Sequence, residues 1–232
     1  LADFYDKQEK YAEAELIYKR ILSINEKTFG KEHPSVASAL EGLAHHYSVK
    51  GKYIEGEPLY RESLSIREKH FGQDHPLVGR SVHSLGFDYI KQGRFAEAES
   101  FIKRSIAIEE KNFGKEDSLL NHYKFNLGIL YMEQGQSKEA ESIFKQTLTI
   151  EQNKYGDEHS TIASTLIFLS KVYFRMGRNI DSNIYLSRAF NILNQLKGVK
   201  LKDKKFIFKR YASIGSLLIN NYDSSENPRL IE

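Results

Sequence analysis

The residues best suited to chemistry recur along this chain. FGKEHPSVA at 29–37 sets Glu32 and His33 beside Gly30 and Pro34, and FGQDHPLVG at 71–79, FGKEDSLLN at 113–121 and YGDEHSTIA at 155–163 repeat the arrangement every 42 residues. An acid next to a histidine could ligate a metal or move a proton. Zinc ligands, however, lie within ~2.0–2.2 Å of the ion, whereas neighbouring helix pairs stack roughly 10 Å apart. His33, His75 and His159 are equivalent positions in successive units, with Asp117 in the third copy, so they cannot share one ion. Punctuation between helices accounts for the pattern better. Gly30 after a Lys-rich helix end suits a left-handed C′ position, Pro34 suits a first helical turn, and Glu32 or Asp74 suits the positive end of that helix. His33 falls around the cap, and Ser118 and Ser160, where proline is replaced, are expected capping residues.

The remaining histidines offer little catalysis. His45 and His46 are adjacent and point to different sides of a helix, while His83 and His122 are placed to approach across adjacent helices. No serine nucleophile with a positioned acid is evident, and no Gly-rich phosphate loop follows a strand. The absence of cysteine excludes disulfides, thiolate zinc sites and thiol chemistry. No catalytic residue, metal or cofactor is expected. With 34 basic against 31 acidic residues and a net charge of +3, the chain lacks the excess that a nucleic-acid-binding face requires. No apolar run approaches the ~20 residues of a membrane span; the best, TIASTLIFLSKVYF, contains Lys171. No signal peptide is visible, so a cytoplasmic location is expected, with a leader upstream of Leu1 left open.

The elements that must hold these residues follow from the frame. Glycines fall at 30, 72, 114, 156 and 198, and a second series at 51, 93, 135 and 177. Leu43, Leu85, Leu127 and Leu169, then Tyr47, Tyr89, Tyr131 and Tyr173, keep the same period. Each period holds two amphipathic segments, about 33–50 and 53–69 in the second copy. Val36, Leu40, Leu43, Ala44 and Tyr47 lie at i, i+4, i+7, i+8 and i+11, a helical stripe. Such a period predicts a stacked helical repeat.

These residues resemble the tetratricopeptide repeat. Its first-helix pattern of leucine, small residue and tyrosine stands here as Leu43-Ala44-Tyr47, Leu85-Gly86-Tyr89, Leu127-Gly128-Tyr131 and Leu169-Ser170-Tyr173. Its second-helix pattern stands as Gly56-Tyr60-Ser63, Ala98-Ile102-Ser105, Ala140-Phe144-Thr147 and Ser182-Leu186-Ala189. The period of 42 is similar to the long-helix variety of kinesin light chains. The resemblance implies an all-α fold, an α-solenoid wound as a right-handed superhelix of stacked antiparallel helix pairs. About five units are expected within one domain, 1–221: a truncated 1–30, then 31–72, 73–114, 115–156 and 157–198, closed by a capping helix at 203–219, with a loose polar tail at 222–232.

In such repeats the first helices line a concave surface, which implies a protein-interaction module that grips a peptide segment of a partner. The positions concerned hold Glu41, Gly42, His45 and Ser48 in the second unit, and Arg80, His83, Ser84, Phe87 and Lys91 in the third. The fourth offers His122, Phe125, Asn126, Ile129 and Met132, the fifth Ile167, Phe168, Lys171, Phe174 and Arg175, and the cap Lys209 and Arg210. Apolar groups at positions that need not face the core mark binding surface, and the cations beside them suit a ligand with apolar anchors and acidic flanks. Asn126 matches the position where the family holds a peptide backbone, since an amide donates and accepts at once. The bland alternative is a set of solvated cations and of phenylalanines packed on a neighbouring helix. A scaffold that self-associates end to end is the competing expectation; neither nucleic acid nor membrane is an expected partner.

Overall fold

The computed structural model describes residues 2–115 and 117–195. Among these the chain is helical throughout, in ten helices: α1 (Ala2–Lys7), α2 (Tyr11–Phe29), α3 (Pro34–Val49), α4 (Tyr53–Phe71), α5 (Pro76–Lys91), α6 (Phe95–Phe113), α7 (Ser118–Glu133), α8 (Ser137–Tyr155), α9 (Ser160–Arg175) and α10 (Asn179–Gln195). The first helices of the repeat run to 16 residues and the second helices mostly to 19. The expected cap at 203–219 and the tail lie outside the described residues. The chain divides into two compact units, with the boundary between Leu130 and Tyr131 inside α7. In the first, each helix from α1 to α6 packs against the next in order; in the second, α8, α9 and α10 do the same.

The core follows the columns of the repeat. Val36, Leu40 and Leu43 on α3, and Val78, Val82, Leu85 and Tyr89 on α5, are buried. Small residues set how closely helices approach. Ser63 is fully buried and its hydroxyl donates to the Ala37 carbonyl at 2.8 Å, and a methyl added at Gly86 would stand 3.0 Å from Phe101 Cβ. Glycine at that position is therefore a packing requirement of the α5–α6 pair.

The repeated FG…H motif is a helix junction. His33, His75 and His159 are the N-caps, each ring Nδ1 accepting from the backbone N–H two residues on, at 3.1, 3.2 and 3.3 Å. Each imidazole also stacks on the aromatic ring that ends the preceding helix, with centroids 4.7 Å apart for Phe29–His33, 4.5 Å for Phe71–His75 and 4.6 Å for Tyr155–His159. Asp117 replaces the imidazole in the third junction, accepting from the Leu119 and Leu120 N–H groups at 2.6 and 3.1 Å. This corrects the expectation for Ser118 and Ser160: each is the first residue of its helix, and the cap is the residue before it. The acids Glu32 and Asp74 are engaged as well, by Lys69 and by Lys111 at 2.6 Å from the next second helix.

Gly30 and Gly72 have φ of 84° and 83° as expected, but ψ of 158° and 161°. That is the extended corner of positive φ that only glycine enters without strain, rather than the compact left-handed helix. A Cβ at Gly72 would meet nothing within 4 Å, so substitution there isolates backbone strain from packing. Gly72→Ala should lower stability by roughly 1–3 kcal/mol, measured by thermal or urea denaturation; an unchanged midpoint would refute the strain.

Candidate functional site

In the first unit the predicted positions on α5 and α7 meet. The His83 ring stacks on Tyr123 with centroids 4.0 Å apart and planes 19° apart, and stands 5.4 Å from His122. The Asn126 amide nitrogen lies 2.8 Å from His83 Nε2 and 3.3 Å from His122 Nε2. Asn126 is 3% exposed, so its N–H groups face two imidazoles of its own chain rather than open solvent. Burial, with His122 adding to it, pushes the His83 imidazole down to about 3, which keeps the ring neutral at ordinary pH. One and two turns along α5, Phe87 is half-buried and Lys91 Nζ lies 5.0 Å from its ring centroid. Phe125 and Ile129 are half-buried, and Arg80 and Lys91 are exposed.

Glu41, expected on the same surface, is committed elsewhere. Arg67, 4% exposed, meets its carboxylate at 2.6 Å and also donates to Ser81 Oγ at 2.6 Å and to the Leu77 carbonyl at 3.3 Å, while Ser84 donates to Glu41 at 3.0 Å. One repeat later the same three columns hold His83, Glu109 and Tyr123. There Glu109 Oε2 and the Tyr123 hydroxyl are buried without a hydrogen-bond partner among the described residues. Burial, reinforced by Asp117 and opposed by Arg80, raises the Glu109 carboxyl above its ordinary range.

In the second unit Lys171 Nζ lies 5.1 Å from the Phe168 ring centroid, and Phe168 packs on the buried Phe144 at 5.5 Å. Phe174 is half-buried. The expected basic end is not made of free cations: Arg175 donates to the Met132 carbonyl and reaches the Glu133 carboxylate at 3.4 Å. Lys209 and Arg210 lie outside the described residues.

A second set of residues was missed in the sequence. The Tyr47, Tyr89 and Tyr173 hydroxyls donate to Glu15 at 3.1 Å, Glu57 at 2.9 Å and Glu141 at 2.7 Å, each on the preceding second helix. A basic residue four positions beyond pairs with each acid: Lys19 at 2.8 Å, Arg61 at 2.9 Å and Lys145 at 2.6 Å. Glu99 and Lys103 continue the pairing at 2.7 Å. The signal was a column of glutamates at 15, 57, 99 and 141, in the same frame as the tyrosines. Hydrogen bonds from Lys19 and Lys50 hold the Glu15 carboxyl at about 2, below its ordinary 4.5. A depressed carboxyl contributes stability above its unfolded value and loses it on acidification. Melting temperature should therefore fall as pH drops from about 4.5 through about 2, and Glu15→Gln should flatten that slope; an identical slope in the variant would remove Glu15 from the account.

Among the described residues no helix is long and apolar enough to cross a membrane, and no three or more His, Asp or Glu side chains are grouped to hold a metal ion. Helix pairs of fixed length, joined by repeated glycine junctions, define a helical repeat protein. The family model described as tetratricopeptide repeat matches residues 35–111 and 118–195, and a second model of the same description matches 1–35. The chain belongs to the tetratricopeptide repeat family. A Podosopora anserina protein with nearly identical repeats, described as kinesin light chain-like, is 26% identical, with a TM-score of 0.71 over 83% of this chain and 91% of that one. BtubC from P. vanneervenii is 22% identical, with a TM-score of 0.73 over 85% of this chain and 79% of that one. The Rap conjugation gene regulator of plasmid pLS20, solved with the Phr* peptide, is 14% identical, with a TM-score of 0.71 over 99% of this chain and 58% of that one. A search of curated proteins finds no significant match.

Proposed function

We propose that the chain is a non-enzymatic interaction module that holds a peptide segment of a partner protein against the faces of α5 and α7 in its first unit. The observation that carries this is the half-buried Phe87 with Lys91 Nζ 5.0 Å from its ring centroid, on the helix that also exposes Arg80, together with the half-buried Phe125 and Ile129 on α7. Acids near this face are engaged internally: Asp88 is 2% exposed, and Glu41 is held by Arg67. What remains open is apolar and positive, which suits a segment with apolar anchors and acidic flanks. The pLS20 regulator, whose structure holds the Phr* peptide, supports peptide capture on this fold. His83, His122 and Asn126, which join α5 to α7, are further proposed contacts. On α9, Lys171 and Phe174 are separate proposed contacts; Arg175 contributes through its anchored side chain, and Lys209 and Arg210 belong to the proposal from sequence alone.

Panning a random peptide library on the full chain should enrich segments combining aromatic or aliphatic residues with Asp or Glu. Reversing both cations, Arg80→Glu with Lys91→Glu, should weaken a selected peptide about tenfold, more at low salt. No enrichment, or an unchanged affinity in the variant, would remove the proposed surface. A second reading, a self-associating scaffold, is favoured by the bare Ile54, Ile180 and Leu16 on second helices, 86, 80 and 73% exposed. It requires a molecular mass that rises with concentration in light scattering; a constant monomer mass would end it.

A further inference from the structure

We infer that His83 and His122 form a two-imidazole site for a late first-row divalent metal ion, such as nickel, copper or zinc, clamping α5 to α7. The inference does not depend on peptide binding.

The argument is geometric. The Asn126 amide nitrogen stands 2.8 Å from His83 Nε2 and 3.3 Å from His122 Nε2. One amide nitrogen has two N–H bonds, and with that nitrogen as donor both rings must present an unprotonated Nε2. Two imidazole lone pairs are thereby directed at one small volume. Imidazole is a preferred ligand of nickel, copper and zinc ions, and an ion bonded at ~2.0–2.1 Å would take the place now held by the Asn126 amide nitrogen, with each ring moving in by about 1 Å.

The surroundings favour loading. Stacking on Tyr123 at 4.0 Å fixes the His83 ring, and His122 is exposed, giving the ion a path from solvent. Asn126 lies four residues after His122, on the same face of α7. To admit the ion, its amide must swing out of the volume it fills between the two rings. Glu41 is held by Arg67 and Ser84 and adds no ligand. With two strong ligands and water completing the shell, the site is open and exchangeable rather than a closed structural one.

A ligand that binds only the folded state raises the melting temperature. Nickel chloride at a hundredfold excess over its Kd should raise that of the full chain by about 5 °C, and EDTA should reverse it. His83→Ala and His122→Ala should each abolish the shift. No shift in the wild type, or an equal shift in both variants, would overturn the site. Should either variant fail to fold, substoichiometric copper added to the wild type decides by NMR. The ring signals of His83 and His122 should broaden first; earlier broadening at the exposed His45 and His70 would overturn it.

Discussion

In both compact units a first-helix tyrosine reaches back to a glutamate on the second helix before it, and the register of one helix pair on the next rests on that reach. The bond forms only when Tyr47 faces Glu15, Tyr89 faces Glu57 and Tyr173 faces Glu141; a slip of one helical turn would leave a half-buried carboxylate with its basic neighbour alone. Apolar packing tolerates small slips, because a leucine fits many apolar neighbours. Directional bonds do not. Guanidinium groups reinforce the arrangement, with Arg94 4.1 Å over Tyr89 and Arg178 4.4 Å over Tyr173.

With register fixed, the stripe at 80, 83, 87 and 91 on α5 is turned away from the core formed by Val78, Val82, Leu85 and Tyr89. The proposed contacts and the core thus share one helix without competing for the same side chains. The exception is His83, which stacks on Tyr123 and holds Asn126 while bordering the open surface. It joins the packed interior to the face proposed for peptide binding.

The helices and their order were legible because four columns hold a single frame, and a helical stripe needs only residue type and spacing to be recognised. The caps were half legible. Ser118 and Ser160 drew attention as substitutes for proline, yet the acceptor sits one residue earlier. A column shared by His33, His75, Asp117 and His159 needs a side-chain acceptor near the backbone, which both residue types supply. The surface positions were legible only in part, since Asn126, Met132 and Ile167, expected on the open face, are buried, and the commitments of the others were not. Glu41 meets Arg67, 26 residues away in sequence, and Arg175 meets Met132, 43 residues away. Such pairings depend on which long side chain reaches first, and periodicity carries no information about that.

The buried polar junctions also make the modules individual. Where Glu41 faces Arg67 and Ser81, the following junction sets His83 with Glu109 and Tyr123. Replacing the third module's first helix by a copy of the second would bring a second anion toward Glu109, while the reverse exchange would leave Arg67 without its carboxylate. A gene of this kind cannot be lengthened or shuffled by simple duplication without leaving uncompensated charge at the new seam. The succession of modules is therefore written in their interiors, and drift toward identical copies is opposed at the places least visible from outside.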